Sequence, residues 1–327
     1  MKEHDTSVVP AHDTSVVPAD DTGLAGAAEA QSRRLMSLAR RASIETSARN
    51  LAEVERYGQW IAPGTPVYIP WLPGAPFHHS LSLAQRLRQA GFEPVPHFSA
   101  KRLDSRDSAA VFLRGARDQA GVTQLMLVGG DTERAAGPFA TALSVIESGL
   151  LSEHGIARIG IAAYPEGHPR IAEAALDEAL LAKLECARAR GIDAHVVTQF
   201  CFDGRAIVQW LSRARAAGLQ GTVRIGVSGP AKIRSLLSYA AKCGVAHSVR
   251  ALWSGPVSLR GLLATHGPEE VLAEVVRADL ADPRLGPLEL HLFSFGGFKA
   301  AADWLSAAAT GGFDALSGAH GRSSVPA

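Results

Sequence analysis

The chain has 327 residues, 46% of them hydrophobic and 20% charged, which is the composition of an ordinary globular protein of one large or two smaller domains. Its 33 basic and 32 acidic residues give a net charge of +1, so we expect no nucleic-acid partner. No apolar run approaches the roughly 20 residues that span a bilayer, and the polar N-terminus lacks the pattern of a secretion signal. These features predict a cytoplasmic protein without a membrane partner.

A perfect tandem repeat opens the chain, with the octapeptide His-Asp-Thr-Ser-Val-Val-Pro-Ala at residues 4–11 and again at residues 12–19. Two copies of eight residues are too few to build a solenoid, so residues 1–25 are predicted to be a disordered tail. Residues 26–312 are predicted to form one catalytic domain, and residues 313–327 a flexible C-terminal tail.

Helical and strand-like segments alternate from about residue 25 onward. Helices are predicted, in chain order, at residues 25–41, 50–60, 80–90, 105–120, 173–190, 205–217, 231–242, 268–281 and 299–308. Strands are predicted at residues 42–45, 66–69, 93–97, 124–128, 157–161, 194–198, 222–227 and 288–293. Eight strands separated by helices indicate a (β/α)8 TIM barrel. The alternative, an open doubly wound sheet, would normally carry a G-x-G-x-x-G sequence after its first strand, and the chain has none.

Active-site groups of such a barrel come from the carboxyl ends of several strands. Polar and aromatic side chains follow the apolar strands at these positions: Glu45, Tyr68, His97, Asp131, Tyr164, Glu166, His168, Gln199, Ser228, Phe293 and Phe295. So many hydrogen-bonding groups in equivalent places favour a functional site over packing alone.

The segment after the fifth strand is the densest of these positions. It reads Ala-Ala-Tyr-Pro-Glu-Gly-His-Pro at residues 162–169. Because the prolines favour an extended backbone, we expect Tyr164, Glu166 and His168 to face the same side. No histidine spacing indicates a metal site, and no G-x-S-x-G elbow marks a nucleophile. The three widely spaced cysteines argue against disulfides, and Cys201 is expected to pack between two phenylalanines.

With these residues in order, the chain resembles the methylenetetrahydrofolate reductase family over roughly residues 40–310. The resemblance depends mainly on residues 162–169 and on Thr-Gln-Phe-Cys-Phe-Asp at residues 198–203. Pro96-His97, Gly130-Asp131 and Glu45 support it by their order along the chain. It implies a TIM barrel that binds FAD and passes a hydride from NADH or NADPH to 5,10-methylenetetrahydrofolate, a reaction of one-carbon metabolism and methionine biosynthesis.

The resemblance also implies roles for individual residues. Glu45 is expected to be the general acid that protonates the folate amine, which requires that burial raise its pKa. Asp131 is expected to lie near both flavin and folate and to tune both. The expected flavin contacts are His97, Gly130, Asp131, Tyr164 and His168, and the expected substrate contacts are Gln199, Phe200 and Phe293. An amide such as that of Gln199 suits a pterin because it offers a donor and an acceptor side by side.

Two departures from the family pattern keep other functions open. Gly129 stands where the family usually has an arginine, and the family's lysine in the helix before Gln199 has no clear match in the region of Lys183, Arg188 and Arg190. The alternatives are a reductase that passes hydride directly without flavin, and a non-catalytic folate-binding barrel that partners a methyltransferase. The expected partner is a small folate molecule, and the sequence leaves both a monomer and a homo-oligomer open.

Overall fold

The computed structural model describes residues 21–130, 132–243 and 265–311. The octapeptide repeat, Asp131 and the predicted C-terminal tail lie outside the described residues. No helix in the described part is both long enough and apolar enough to cross a membrane.

Parallel strands close into a barrel, which confirms the predicted (β/α)8 TIM fold. The barrel strands are β1 (Ser43–Glu45), β2 (Pro66–Ile69), β3 (Glu93–Ser99), β4 (Gln124–Val128), β5 (Arg158–Ala163), β6 (Asp193–Thr198), β7 (Val223–Ser228) and β10 (Leu288–Phe293). Each barrel strand pairs with the next barrel strand, so that β7 pairs with β10, and β1 closes the ring by pairing with β10 through Ser43 and His291. The closed ring brings all of the strand carboxyl ends to one face of the barrel.

Helices surround the barrel and bury their apolar faces against it. They are α1 (Asp21–Arg40), α2 (Phe77–Gln89), α3 (Arg106–Ala120), α4 (Ala142–Glu147), α5 (Leu150–Glu153), α6 (Glu173–Ala189), α7 (Gly204–Ala216), α8 (Ile233–Cys243), α9 (Glu269–Ala281) and α10 (Phe298–Thr310), with 3-10 helices at Ala48–Gln59, Ala100–Arg102 and Pro283–Leu285. A short antiparallel pair, β8 (Ala231–Lys232) and β9 (Thr265–His266), lies outside the barrel.

Several elements differ from their predicted bounds near the face that holds the carboxyl ends of the strands. The helix predicted at residues 50–60 is a 3-10 helix, Ala48–Gln59. Strand β5 continues through Ala163, two residues beyond the predicted end, because Ala162 and Ala163 stay paired with β6. Strand β3 continues to Ser99 despite its two prolines, and it pairs with β4 from His97 onward.

The barrel interior combines an apolar cluster with buried polar groups. Tyr68, Val95, Met126 and Val197 pack together there. Gly160 leaves room for the side chain of Met126 in this cluster, because a Cβ atom at residue 160 would lie 2.8 Å from the sulfur of Met126. Buried polar side chains also occupy the interior, and they include Gln124, His195, Arg224 and His291. Buried polar groups are stable only when they have partners, so these residues must interact with one another or with the site above.

Candidate active site

Two adjoining cavities open at the carboxyl ends of the strands. The larger has a volume of about 950 Å³, at the upper end of the range of ligand-binding pockets, and the smaller has a volume of about 140 Å³. Their linings share His97, Val128, Ala162, Tyr164 and Gln199, so the two spaces meet at the ends of β3 to β6. The site is therefore a broad cleft with a narrow pocket in its base.

Glu45 forms part of the wall of the small cavity. Its side chain is 15% exposed, and its Oε2 atom lies 3.9 Å from Nε2 of His97 and 3.8 Å from Nε2 of His291. Burial raises the pKa of Glu45 to about 6, against the opposing effect of the His97 imidazole. A carboxyl with this pKa holds a proton closer to neutral pH than an ordinary glutamate does, which suits it to act as an acid.

The two imidazoles beside Glu45 are uncharged at neutral pH. Burial lowers the pKa of His97 to about 4, although Glu45 opposes that change. Burial and the charge of Arg224 lower the pKa of His291 to about 3. The Nδ1 atom of His291 lies 2.8 Å from the hydroxyl of Ser43, which orients the ring. Of these three groups, Glu45 has the pKa nearest to neutral pH, so its carboxyl is the first of them to take up a proton as the pH falls.

The segment after β5 is a turn, and the predicted extended conformation was wrong. The amide of Gly167, which has a φ of 80°, donates to the carbonyl of Tyr164 at 2.9 Å. The turn brings the rings of Tyr164 and His168 together edge to face, with centroids 5.3 Å apart, and both rings line the large cavity. Glu166 instead accepts a hydrogen bond of 2.9 Å from the thiol of Cys201. This contact ties the turn to the loop after β6.

Gln199 lines both cavities, as expected for a ligand contact. Its backbone amide donates to the carbonyl of Ala163, and its side-chain oxygen accepts from the amide of Phe200 at 3.1 Å. The amide orientation is therefore fixed, and the side-chain nitrogen is the group offered to a ligand.

The two phenylalanines expected at the substrate occupy different depths. Phe293 lines the small cavity and packs edge-on against His291, with ring centroids 4.7 Å apart. Phe200 is buried behind it, 5.5 Å from the Phe293 ring and 4.7 Å from that of Phe295. In the described part of the site, Phe200 thus supports Phe293 and lines neither cavity.

The loop after β4 contributes a close backbone approach at Gly130. A Cβ atom there would lie 2.6 Å from the hydroxyl of Ser99, and the φ of 104° also favours glycine. Gly129 and Gly130 both line the large cavity, as does Ser99, whose buried hydroxyl makes no hydrogen bond within the described structure. The neighbouring Asp131, expected to be catalytic, lies outside the described residues.

Lys183 on α6 lines the large cavity, although the sequence offered no clear match for a lysine in this helix. Burial lowers its pKa. Arg188 on the same helix and Arg190, directly after its end, are exposed, and Arg190 donates to the carbonyl of Glu147. A lysine of this helix reaches the cleft without any shift of the sequence register, because Lys183 itself lines the large cavity.

Three residues of the site were not predicted because none of them lies at the end of a strand. Ser43 and His291 lie two residues before Glu45 and Phe293 and share their inward face. The two-residue period of a strand is the signal that would have found both. Lys183 gave no comparable signal, since most helix lysines are solvent-exposed.

Two comparisons with known proteins bear on the family and the fold of the chain. A family model described as methylenetetrahydrofolate reductase matches residues 44–245. Among solved structures, the chain is similar to one described as an uncharacterized protein from Clostridium thermocellum that binds two copies of 5-methyl-5,6,7,8-tetrahydrofolic acid. The likeness has a TM-score of 0.55 at 12% identity and covers 85% of this chain and 96% of that chain. At this identity the structural match supports the fold.

Proposed function

Since this chain belongs to the methylenetetrahydrofolate reductase family, as the match over residues 44–245 shows, we propose that it reduces 5,10-methylenetetrahydrofolate to 5-methyltetrahydrofolate. In this proposal FAD is the cofactor, NADH or NADPH is the hydride donor, and Glu45 is the general acid. The observation that carries it is the burial of Glu45 in the base of the cleft, which raises its pKa to about 6. The solved structure whose description names bound 5-methyl-5,6,7,8-tetrahydrofolic acid supports a folate as the ligand.

The residues of the large cavity fit FAD. The ammonium of Lys183 and the guanidinium of Arg170 line it and suit a diphosphate, since charge-assisted hydrogen bonds to phosphate are strong. The paired rings of Tyr164 and His168 and the close backbone at Gly130 suit a flat ring system. The chemistry that FAD would supply when bound there is hydride transfer between the nicotinamide and the folate.

Folate binding is assigned to the side of the cleft formed by β6 and β10. The side-chain nitrogen of Gln199 would donate to an acceptor of the pterin, and the ring of Phe293 would pack against an apolar face of the substrate. Both groups are held from behind, Gln199 by the Phe200 amide and Phe293 by the Phe200 ring. This support fixes the substrate contacts before binding.

Glu45 would supply the proton that opens the methylene bridge. Its carboxyl would protonate the folate amine, the carbon–nitrogen bond of the bridge would break, and an electrophilic iminium would form for hydride attack. The lowered pKa values of His97 and His291 leave both imidazoles neutral at pH 7, and burial is the main factor that raises the protonated fraction of Glu45, the form that would act as the acid.

A specific observation favours a second candidate, direct hydride transfer without flavin. Gly129 lines the large cavity where the family usually has an arginine, which removes one cation that could face a flavin or a phosphate. The cleft would then receive the nicotinamide beside the folate, and Glu45 would keep its role.

Two measurements on the purified protein test the proposal. A visible flavin spectrum, together with oxidation of NADH or NADPH that depends on 5,10-methylenetetrahydrofolate and yields 5-methyltetrahydrofolate, is the expected result. A colourless protein with the same folate-dependent oxidation would select the direct transfer. A protein that binds folate but oxidises neither nucleotide would contradict both reductase functions and leave a folate-binding barrel, with a methyltransferase as the partner to test.

A further inference from the structure

Tyr68 occupies the centre of the barrel and forms part of the floor of the small cavity. It is fully buried, and three side chains from other strands reach its hydroxyl. Arg224 donates to it at 2.8 Å, His195 lies 2.8 Å away through Nε2, and Gln124 donates at 3.4 Å. Because Arg224 is a donor only, the tyrosine hydroxyl can give its own proton to the neutral imidazole of His195.

The ring of Tyr68 contacts both histidines that face Glu45. Its centroid is 4.6 Å from that of His291, with the planes at 63°, and 6.3 Å from that of His97, with the planes at 85°. Both separations lie in the range of about 4.5–7 Å that edge-to-face aromatic pairs prefer. The same two imidazoles place their Nε2 atoms 3.8 Å and 3.9 Å from the Glu45 carboxyl. Tyr68 is thus the one ring common to both flanks of the acid among the described residues.

The polar side chains that hold the hydroxyl of Tyr68, Arg224 above all, are costly to bury. Interiors of TIM barrels are usually filled by branched apolar side chains, and a buried guanidinium carries a large desolvation penalty. Here Arg224 is held by Tyr68 on one side and by Glu289, 2.9 Å from its Nε atom, on the other. An apolar side chain at residue 68 would fill the same space without requiring this network. The hydrogen bonds of this network fix the location and the tilt of the Tyr68 ring.

We propose that Tyr68 is a positioning residue for Glu45: Arg224 and His195 fix its hydroxyl, and its ring holds His97 and His291 against the carboxyl. The proposal depends on the acid role given to Glu45 under the proposed function. It assigns Tyr68 no contact with the reacting atoms, because its hydroxyl points toward the barrel interior and away from the cleft.

Titratable and charged side chains from five barrel strands surround Glu45 and influence its ionisation. In the described structure, the nearest are His97 on β3 and His291 on β10. The other titratable and charged groups lie deeper in the barrel than these two imidazoles. They are Tyr68 on β2, His195 on β6, Arg224 on β7 and Glu289 on β10. Loss of the Tyr68 ring would open space beneath Glu45 to water and free both imidazoles to turn. Since burial is the main cause of the raised pKa of Glu45, that pKa would fall toward its ordinary value.

The test compares Tyr68→Leu and Tyr68→Phe with Val67→Ala, a matched control on the same strand. Val67 is equally buried but packs outside the barrel, so its truncation weakens the core without touching the imidazoles. Each protein is assayed for kcat of folate reduction against pH, and activity falls above the pKa of the acid. In Tyr68→Leu the falling limb should move down by about one pH unit, which lowers kcat about tenfold at pH 7.5. The phenylalanine variant should fall between Tyr68→Leu and the wild type.

A second readout requires no turnover. Proteins labelled with 13C at the histidine Cε1 atoms, with signals assigned through His97→Asn and His291→Asn, are titrated by NMR without ligands. In the wild type and Val67→Ala, the signals of His97 and His291 should remain those of neutral imidazoles from pH 5 to pH 8, with only a small shift as the neighbouring Glu45 titrates. In Tyr68→Leu both should titrate within that range.

These readouts separate the positioning role from the proposed function. If the wild type reduces no folate, the proposed function fails while the histidine titration still decides the role of Tyr68. A Tyr68→Leu protein that matches Val67→Ala in both readouts overturns the proposal. A Tyr68→Phe protein indistinguishable from the wild type overturns the anchoring role of the hydroxyl. If Tyr68→Leu does not fold, a phenylalanine variant that matches Val67→Ala overturns the proposal in its place.

Discussion

The Oε2 atom of Glu45 lies 3.8 Å from Nε2 of His291, and the other ring nitrogen of His291 lies 2.8 Å from the hydroxyl of Ser43. This line of three side chains connects the acid at the end of β1 to the interior of the barrel. Its imidazole is neutral because burial and Arg224 lower its pKa to about 3. The arrangement keeps the carboxyl as the group that changes its protonation state near neutral pH.

Acid should destabilise the protein through these histidines. Their pKa values in the folded state, about 4 for His97 and about 3 for His291, lie below the ordinary value of 6.5. A group with a lowered folded pKa contributes stability above its unfolded pKa and loses it as the pH falls. From pH 7 to pH 5, each should cost about 2 kcal/mol of unfolding free energy, while Glu45, whose pKa is raised, returns about 1 kcal/mol.

Urea denaturation at the two pH values measures this effect. In His291→Asn the loss between pH 7 and pH 5 should be smaller than in the wild type by about 2 kcal/mol. His154→Asn, at a half-buried histidine on the outer helices, serves as the control. An equal pH dependence in the wild type and His291→Asn would contradict the assignment of a neutral buried imidazole.

Lys183→Met should weaken the binding of FAD. Removal of a charge-assisted contact with phosphate costs about 1.5–3 kcal/mol, so the dissociation constant should rise about 10–100-fold. Titration of the protein with FAD, followed by flavin fluorescence, gives the constant. Arg188→Met is the matched control, since it removes an exposed cation from the same helix. Equal FAD affinities in the two variants would show that Lys183 does not face the cofactor.

Gln199→Glu should raise the KM for the folate. The substitution keeps the oxygen that accepts from the Phe200 amide but removes the nitrogen offered to the substrate. Loss of a hydrogen bond in a buried site should raise KM about tenfold or more. Melting temperature is measured alongside, and it should change little. An unchanged KM would mean that the pterin lies elsewhere, and Gln119→Glu, on the exposed side of α3, controls for the added charge.

The fold was predictable because its signals are local. Strands β4 and β10 have the predicted bounds, since β4 is a short, mainly apolar run, β10 alternates leucines with polar residues, and glycines flank both. The end of β5 was predicted two residues too early because alanines at residues 162 and 163 carry little strand preference, and pairing with β6 determines their conformation.

The site was predictable in part. The rule that the site of a TIM barrel lies at the carboxyl ends of its strands predicted that Glu45, His97, Tyr164 and Gln199 lie together. In the structure these four residues line the two adjoining cavities. It also placed Tyr68 there, although the hydroxyl of Tyr68 turns inward because Arg224 and His195 can satisfy it. The inward orientation of this hydroxyl depends on side chains more than 120 residues away in the chain, and no local sequence pattern reveals them.

The substitution Glu45→Gln tests the central claim most directly. The amide keeps the shape of the carboxyl but has no proton to donate, so folate reduction should fall about 10²–10⁴-fold, the usual contribution of a general acid. Reduction of the bound flavin by NADH or NADPH, followed in a single turnover, should stay within about twofold of the wild type, because that step needs no proton from Glu45. Glu55→Gln, at an exposed carboxylate, is the control and should match the wild type in both steps. Wild-type folate turnover in Glu45→Gln would contradict the account.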